Sequence, residues 1–147
     1  MSEESEAREE LKRADHSIFV TLKYTKTCDV IKSTIHRLIG AFDYGIIHAL
    51  TVLKGKKKLK DIPSTPISRA EMLKKTYRRT EITAFIKFYF LLRKIDRAKY
   101  SKKEEFRKNV ALIATLEGGE VINVDIETLY SYFQKTKEFI DYIESKF

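Results

Sequence analysis

Imidazole can bind a metal or move a proton near neutral pH, so His16, His36 and His48 are the first residues to weigh in this 147-residue chain. None stands in an HExxH or Glu-x-x-His pair, so the helical signatures of zinc and di-iron sites are missing. His36 and Asp43 are seven residues apart on one helix face, a spacing that could serve a metal or an acid–base pair. A polar flank beside a core seam explains them more simply. His48 shares a face with Ala41 and Gly45, and small side chains mark close helix approach, inside a bundle or across a dimer. Ala41, Gly45 and His48 are therefore the candidate interface. Glu81 sits beside Arg78 and Arg79 at the edge of an apolar run; it is read as paired or outward-facing rather than as a buried acid with a raised pKa. The single cysteine, Cys28, rules out an intrachain disulfide and reads as a small apolar residue at a helix start, where its pKa could be lowered. No GxxxxGK[ST], GxGxxG or GxSxG occurs. No catalytic residue, metal site or cofactor is expected.

Charge is more informative. Residues 1–50 hold 7 Lys and Arg against 8 Asp and Glu, residues 51–109 hold 19 against 6, and residues 110–147 hold 3 against 7. The excess lies in the middle of the chain, on Lys56, Lys57 and Lys58 and on Lys74, Lys75, Arg78 and Arg79, with Tyr77 between them. A basic stripe with interleaved aromatics is the electrostatic footprint of a nucleic-acid binder. A lysine-rich solvated face is the plainer alternative. Nothing in the stripe looks like a base reader, so the expected contact is RNA or DNA backbone.

These residues need a scaffold, and the sequence predicts an all-α one. Gly is absent before Gly40 and only Pro63 and Pro66 interrupt the chain, which favours long helices. Leu11, Ala14, Ile18, Leu22 and Thr25 recur at helical spacing and predict a first helix over about 3–25, although the β-branched 17–25 also alternates like a strand. Ile31, Ile35, Leu38, Phe42, Gly45, Ala49 and Leu53 predict a second helix capped by Thr27. Rows 11, 18, 25 and 31, 38 are out of step by one residue, which argues for a turn and an antiparallel pair. A basic loop spans about 54–67. Ser68 with Glu71 makes a capping box for a third helix to about Lys99, and Ser101 with Glu104 makes one for a shorter fourth, ended by Gly118-Gly119. A fifth begins near Asn123. The expectation is one domain over residues 1–147: an antiparallel bundle of four long helices plus one shorter helix.

The acidic start lacks the form of a signal peptide, and the apolar run from Ile82 to Leu92, broken by Lys87, is too short to cross a bilayer. A cytoplasmic protein without a membrane role is expected. Asn and Gln number three among many Lys and Glu, a composition like that of thermophile proteins.

The long AREELKRADHSIFVTLKYT helix, the small-residue HRLIGAFDYGIIHALTVL helix and the late fifth helix together resemble HEPN domains. These are small helical bundles found in RNA-cleaving toxins and as partners of minimal nucleotidyltransferases. Catalytic HEPN domains carry an Arg followed after four to six residues by a His, late in the bundle. Here no histidine follows His48, so the resemblance implies a non-catalytic member and carries over no site residues. The expected function is a non-enzymatic binding module for RNA or DNA backbone. The alternative is a protein-interaction module, a homodimer or the partner of another subunit, with no nucleic-acid role.

Overall fold

The computed structural model describes residues 3–147, with side chains from residue 6 onward. The described residues form five helices and a small three-stranded antiparallel sheet. α1 covers Glu3–His16 and continues through a π-helical turn, Ser17–Thr21, and a last piece, Leu22–Tyr24. α2 is Cys28–Gly55, α3 Pro66–Thr76, α4 Thr80–Arg97 and α5 Ile126–Lys146. Between α4 and α5 come β1 (Lys99–Lys103), β2 (Ala111–Thr115) and β3 (Val121–Asp125), in the order β1-β2-β3.

The first two helices follow the expectation. Ala7, Leu11, Ala14, Ile18 and Leu22 form the buried stripe of α1. Two successive four-residue steps, 14 to 18 to 22, would drift around an α-helix of 3.6 residues per turn. The wider π-helical turn absorbs that drift and keeps all three residues against the core, so residues 17–24 stay helical rather than extended. Thr25 then leaves the helical region and Thr27 caps α2, its hydroxyl accepting from the Val30 N–H at 3.3 Å. Glu10 lies beside Arg37 and Gly40, so α1 and α2 run antiparallel. α2 is long and apolar enough to span a bilayer by length and composition, although polar residues such as His36, Arg37 and Asp43 interrupt its apolar run. In the structure its apolar residues are the centre of the core, between α1 and α5.

The basic loop is more ordered than its composition suggests. Lys57 adopts φ 59° and ends α2, with the Lys58 N–H donating to the Leu53 carbonyl at 2.9 Å. This is the Schellman arrangement, in which glycine is favoured at the left-handed position. Lys57→Gly is therefore expected to stabilise the protein by about 1 kcal/mol, read as a higher urea midpoint at unchanged slope.

The expected third helix is two. Thr65, not Ser68, caps α3, with Pro66 in the first turn. The chain breaks at Tyr77 to Arg79 before α4. Ala70 and Leu73 are buried, and that row would continue through Tyr77 to Thr80 and Ala84, both of which are exposed. The buried row of α4 is Ile82, Ile86 and Tyr89 instead. One straight helix cannot present both rows to the core, so the chain bends.

The expected fourth helix is replaced by the sheet, and the fold is mostly helical rather than all-α. Val110, Leu112, Ala114 and Leu116 are buried at every second position, the period of a strand, with Ala111 buried as well. Gly118 and Gly119, at φ 98° and 94°, turn β2 into β3 rather than capping a helix. Ser101 and Glu104 make no capping box: Ser101 lies in β1 opposite Ile113. The last helix starts at Ile126, capped by Asp125, whose carboxylate accepts from the Thr128 N–H at 2.7 Å.

Candidate nucleic-acid interface and polar cleft

The basic residues picked out by sequence divide between two connections. Lys56, Lys57 and Lys58 are exposed at the end of α2. Positive side chains there also suit the negative end of the helix dipole, which is the plainer reason for them. Lys74 and Lys75 occupy the last turn of α3, and Arg78 and Arg79 the elbow that follows. The expected single helical stripe of four is thus bent in the middle, one pair on the helix and one pair on the elbow. Arg78 Nε donates to the Lys75 carbonyl at 3.3 Å, and Arg79 Nη1 to the Arg78 carbonyl at 3.2 Å. Lys74 has a carboxylate neighbour, Glu71, at 3.4 Å. The two guanidinium groups bond to backbone carbonyls and keep their full charge.

Aromatic rings gather at the same elbow. Tyr77 packs on Phe147 with centroids 4.8 Å apart, and the Arg79 guanidinium lies 4.9 Å from the Tyr77 ring centre. On the last turn of α5, Lys146 approaches the Tyr142 ring at 5.9 Å. Burial, with Tyr77 alongside, pushes the Tyr142 phenol up to about 12. The elbow is therefore extended by the end of α5, a neighbourhood that sequence distance hides.

A second polar region lies between α1, α2 and α4, in a cleft of about 570 Å³. His36 and Asp43 both line it, but they do not act as a pair. His36 is largely exposed, its Nδ1 3.6 Å from Asp96. Asp43 accepts a very short hydrogen bond from the hydroxyl of the fully buried Tyr89, and Arg93 Nη1 donates to that hydroxyl at 3.4 Å. Glu10 is held by Arg13 at 2.9 Å and Arg37 at 3.5 Å. Most of these groups answer one another inside the cleft, as in a structural network. Among the described residues, no group of three or more His, Cys, Asp or Glu is placed to hold a metal ion.

Burial pushes the Asp43 carboxyl above the usual range, against the opposing pull of the Tyr89 hydrogen bond and of Arg93. Burial and Asp43 together push the Tyr89 phenol up, so it remains a donor. Folded Asp43 thus holds its proton more tightly than the unfolded chain does. Its contribution to stability is greatest below the unfolded value of about 3.9 and falls as pH rises through the raised folded value. Asp43→Asn can still accept from Tyr89 but cannot ionise. Its stability relative to wild type should therefore improve as pH rises across that window in paired urea titrations. Asp43→Ala should instead cost about 1–3 kcal/mol, because it strands a buried hydroxyl. A difference between Asp43→Asn and wild type that is flat with pH would contradict the burial.

The candidate interface on α2 is occupied from within. Ala41 and Gly45 are buried, and Gly45 faces Phe139 and Ile140 of α5. Of the two readings of small side chains, close approach inside the bundle is the one observed. This face is not an open surface for a second copy. His48, half-buried on the same helix, is also engaged by contacts within the chain. Cys28 is buried, its thiol donating to the Ala111 carbonyl at 3.2 Å, and burial pushes its pKa up rather than down. Glu81 is exposed.

Comparison of the chain with protein-family models, curated proteins and solved structures gives no match.

Proposed function

We propose that this protein is a non-enzymatic module that binds the phosphate backbone of RNA or DNA, with the α3–α4 elbow as its contact surface. The observation that carries this reading is the elbow itself. Lys74, Lys75, Arg78 and Arg79 lie within six residues there, three of them without a carboxylate partner among the described residues, beside Tyr77, Phe147 and Lys146. The resemblance of α1, α2 and α5 to HEPN domains, some of which act on RNA, is in keeping with this reading and leaves RNA and DNA both open. Binding mainly to phosphate makes affinity nearly independent of base sequence and steeply dependent on salt.

The test is a fluorescence titration of unrelated RNA and DNA oligonucleotides at stepped salt. The log–log slope should be about −0.9 per phosphate contact on duplex DNA and about −0.7 on single strands. No binding at low salt would leave a protein-interaction role as the better reading. The same preparations should show no nuclease activity above background. Cleavage that disappears on His36→Ala or His48→Ala would overturn the non-enzymatic reading.

A further inference from the structure

The molecule has a second place where aromatic rings and lysine side chains meet, at the opposite end of α1 from the Arg8–Glu144 ion pair that ties α1 to the end of α5. A cleft of about 730 Å³ opens between the π-helical turn, the β1–β2 loop and the first turns of α5. Its apolar wall is Phe19 and Tyr130, 51% and 41% exposed, whose rings meet edge to face at 5.3 Å. With Ile18 and Leu22 held inward, the π-helical turn presents Phe19 and Val20 to solvent. Such turns recur at functional sites.

The β1–β2 loop is strained on the same side. Glu104 and Phe106 have φ of 50° and 68°, a region that bulky side chains rarely enter. The conformation is held by the Phe106 N–H donating to the Lys26 carbonyl at 2.7 Å and by the Cys28 N–H donating to Glu105 at 2.9 Å. Phe106 itself is 76% exposed and packs no core. Pinning the loop to the start of α2 brings Lys103 and Lys108 to the same cleft as Lys26. Three carboxylates line the cleft beside Lys26, Lys103 and Lys108: Asp125 is engaged as the cap of α5, and Glu104 and Glu127 are exposed. Lys103 and Lys108 have no carboxylate partner among the described residues, and the amides of Asn109 and Asn123 line the cleft beside them.

We propose that this cleft takes an unpaired base of a single-stranded nucleic acid, stacked on the face of one ring of the Phe19–Tyr130 pair with the other ring at its edge, and with the flanking phosphates on Lys103 and Lys108. The inference rests on the backbone-binding reading and adds to it a preference for single strands. Flat aromatic faces accept any base, and amide side chains can meet a base edge without demanding one sequence. A duplex keeps its bases stacked inside and cannot use the cleft.

The experiment compares a single-stranded oligonucleotide with its duplex on wild type and on Phe19→Leu/Tyr130→Leu, which keeps apolar bulk but removes the stacking faces. Phe19→Tyr/Tyr130→Phe serves as the conservative exchange, and thermal melts confirm that each variant is folded. The Leu variant should lose single-strand affinity tenfold or more, with duplex affinity and salt slope unchanged, and the conservative exchange should bind like wild type. Lys103→Glu/Lys108→Glu should lower the single-strand salt slope. Wild-type binding to both forms with no loss in the Leu variant would overturn the cleft while leaving the elbow standing. Equal losses on single strand and duplex would also overturn it, since stacking cannot act on paired bases. Binding of wild type to neither form would remove the backbone reading and this inference with it.

Discussion

Replacing Gly45 by leucine should lower the stability of the fold by roughly 3 kcal/mol or more, at the upper end of what overpacking costs. A Cβ at Gly45 alone would lie 2.9 Å from Phe139 Cε2 and 3.0 Å from Ile140 Cδ1. Those atoms cannot easily yield. Phe139 is fully buried, stacked on Phe42 with centroids 4.4 Å apart and set against Phe85 at 5.4 Å. Moving its ring disturbs the aromatic centre of the core, so the backbone of α5 must shift instead. Alanine should fall between: it gains about 0.5–1 kcal/mol as a better helix residue but still makes the close approach. Gly40→Ala is the control. A Cβ there meets only the end of the Glu10 side chain, at 3.4 Å, and should be near neutral. For a domain of this size, 3 kcal/mol is a fall of about 6–12 °C in Tm. Sedimentation of each variant separates loss of fold from a change of association. A Gly45→Leu protein that melts like wild type would mean that α2 and α5 do not pack as described.

Gly45 stands out from spacing alone, and the reason separates what the sequence reveals from what it hides. A helix with a long repeat and a good cap is locally determined. α1, the turn at Thr25 to Thr27 and the start of α2 agree with the reading of Leu11, Ile18, Ile31 and Thr27. The sheet escapes that reading because two local signals conflict. Ser101 with Glu104 mimics a capping box, and Phe106, Val110 and Ile113 stand at helical spacing. Yet Val110 to Leu116 is a short, almost continuous apolar run of strand length, and the β-branched VINV after Gly118-Gly119 completes a hairpin pattern. The glycines with their flanking strands outweigh the apparent cap, because β2 gains a ladder on both sides and buries one face on the helices. The elbow is legible too, as a slip between the rows ending at Leu73 and starting at Ile82. The sites are harder. Asp43 and Tyr89 are 46 residues apart, and the Phe19–Tyr130 wall joins opposite ends of the chain. Only tertiary packing brings them together.

Charge reversal at the elbow should abolish nucleic-acid binding and leave the fold intact. Lys74, Lys75, Arg78 and Arg79 changed together to Glu turn four positive charges into four negative ones beside the same aromatic surface. A phosphate that is no longer neutralised keeps its counterion, so residual affinity should show a much shallower salt slope. The fold should survive because the core of this region is Leu73 beneath and Ile82 beyond, both fully buried. The one ion pair sacrificed, Lys74 with Glu71 at 3.4 Å, is exposed, and such pairs contribute little. Reversing Lys56, Lys57 and Lys58 should weaken binding less. A mobile loop would explain this by its ordering entropy, but the Schellman cap already fixes these residues. The weaker effect is expected because no aromatic ring joins them and their charge already serves the end of α2. Lys135→Glu with Lys137→Glu is the control within the acidic segment. There Lys137 is paired with Asp141 at 3.0 Å and Lys135 rests over Phe88 at 5.3 Å. That double change turns two positive charges into two negative ones and should do little. Comparable weakening per charge from the elbow and from this control would mean that net charge alone attracts the ligand, and the elbow would lose its standing as a site.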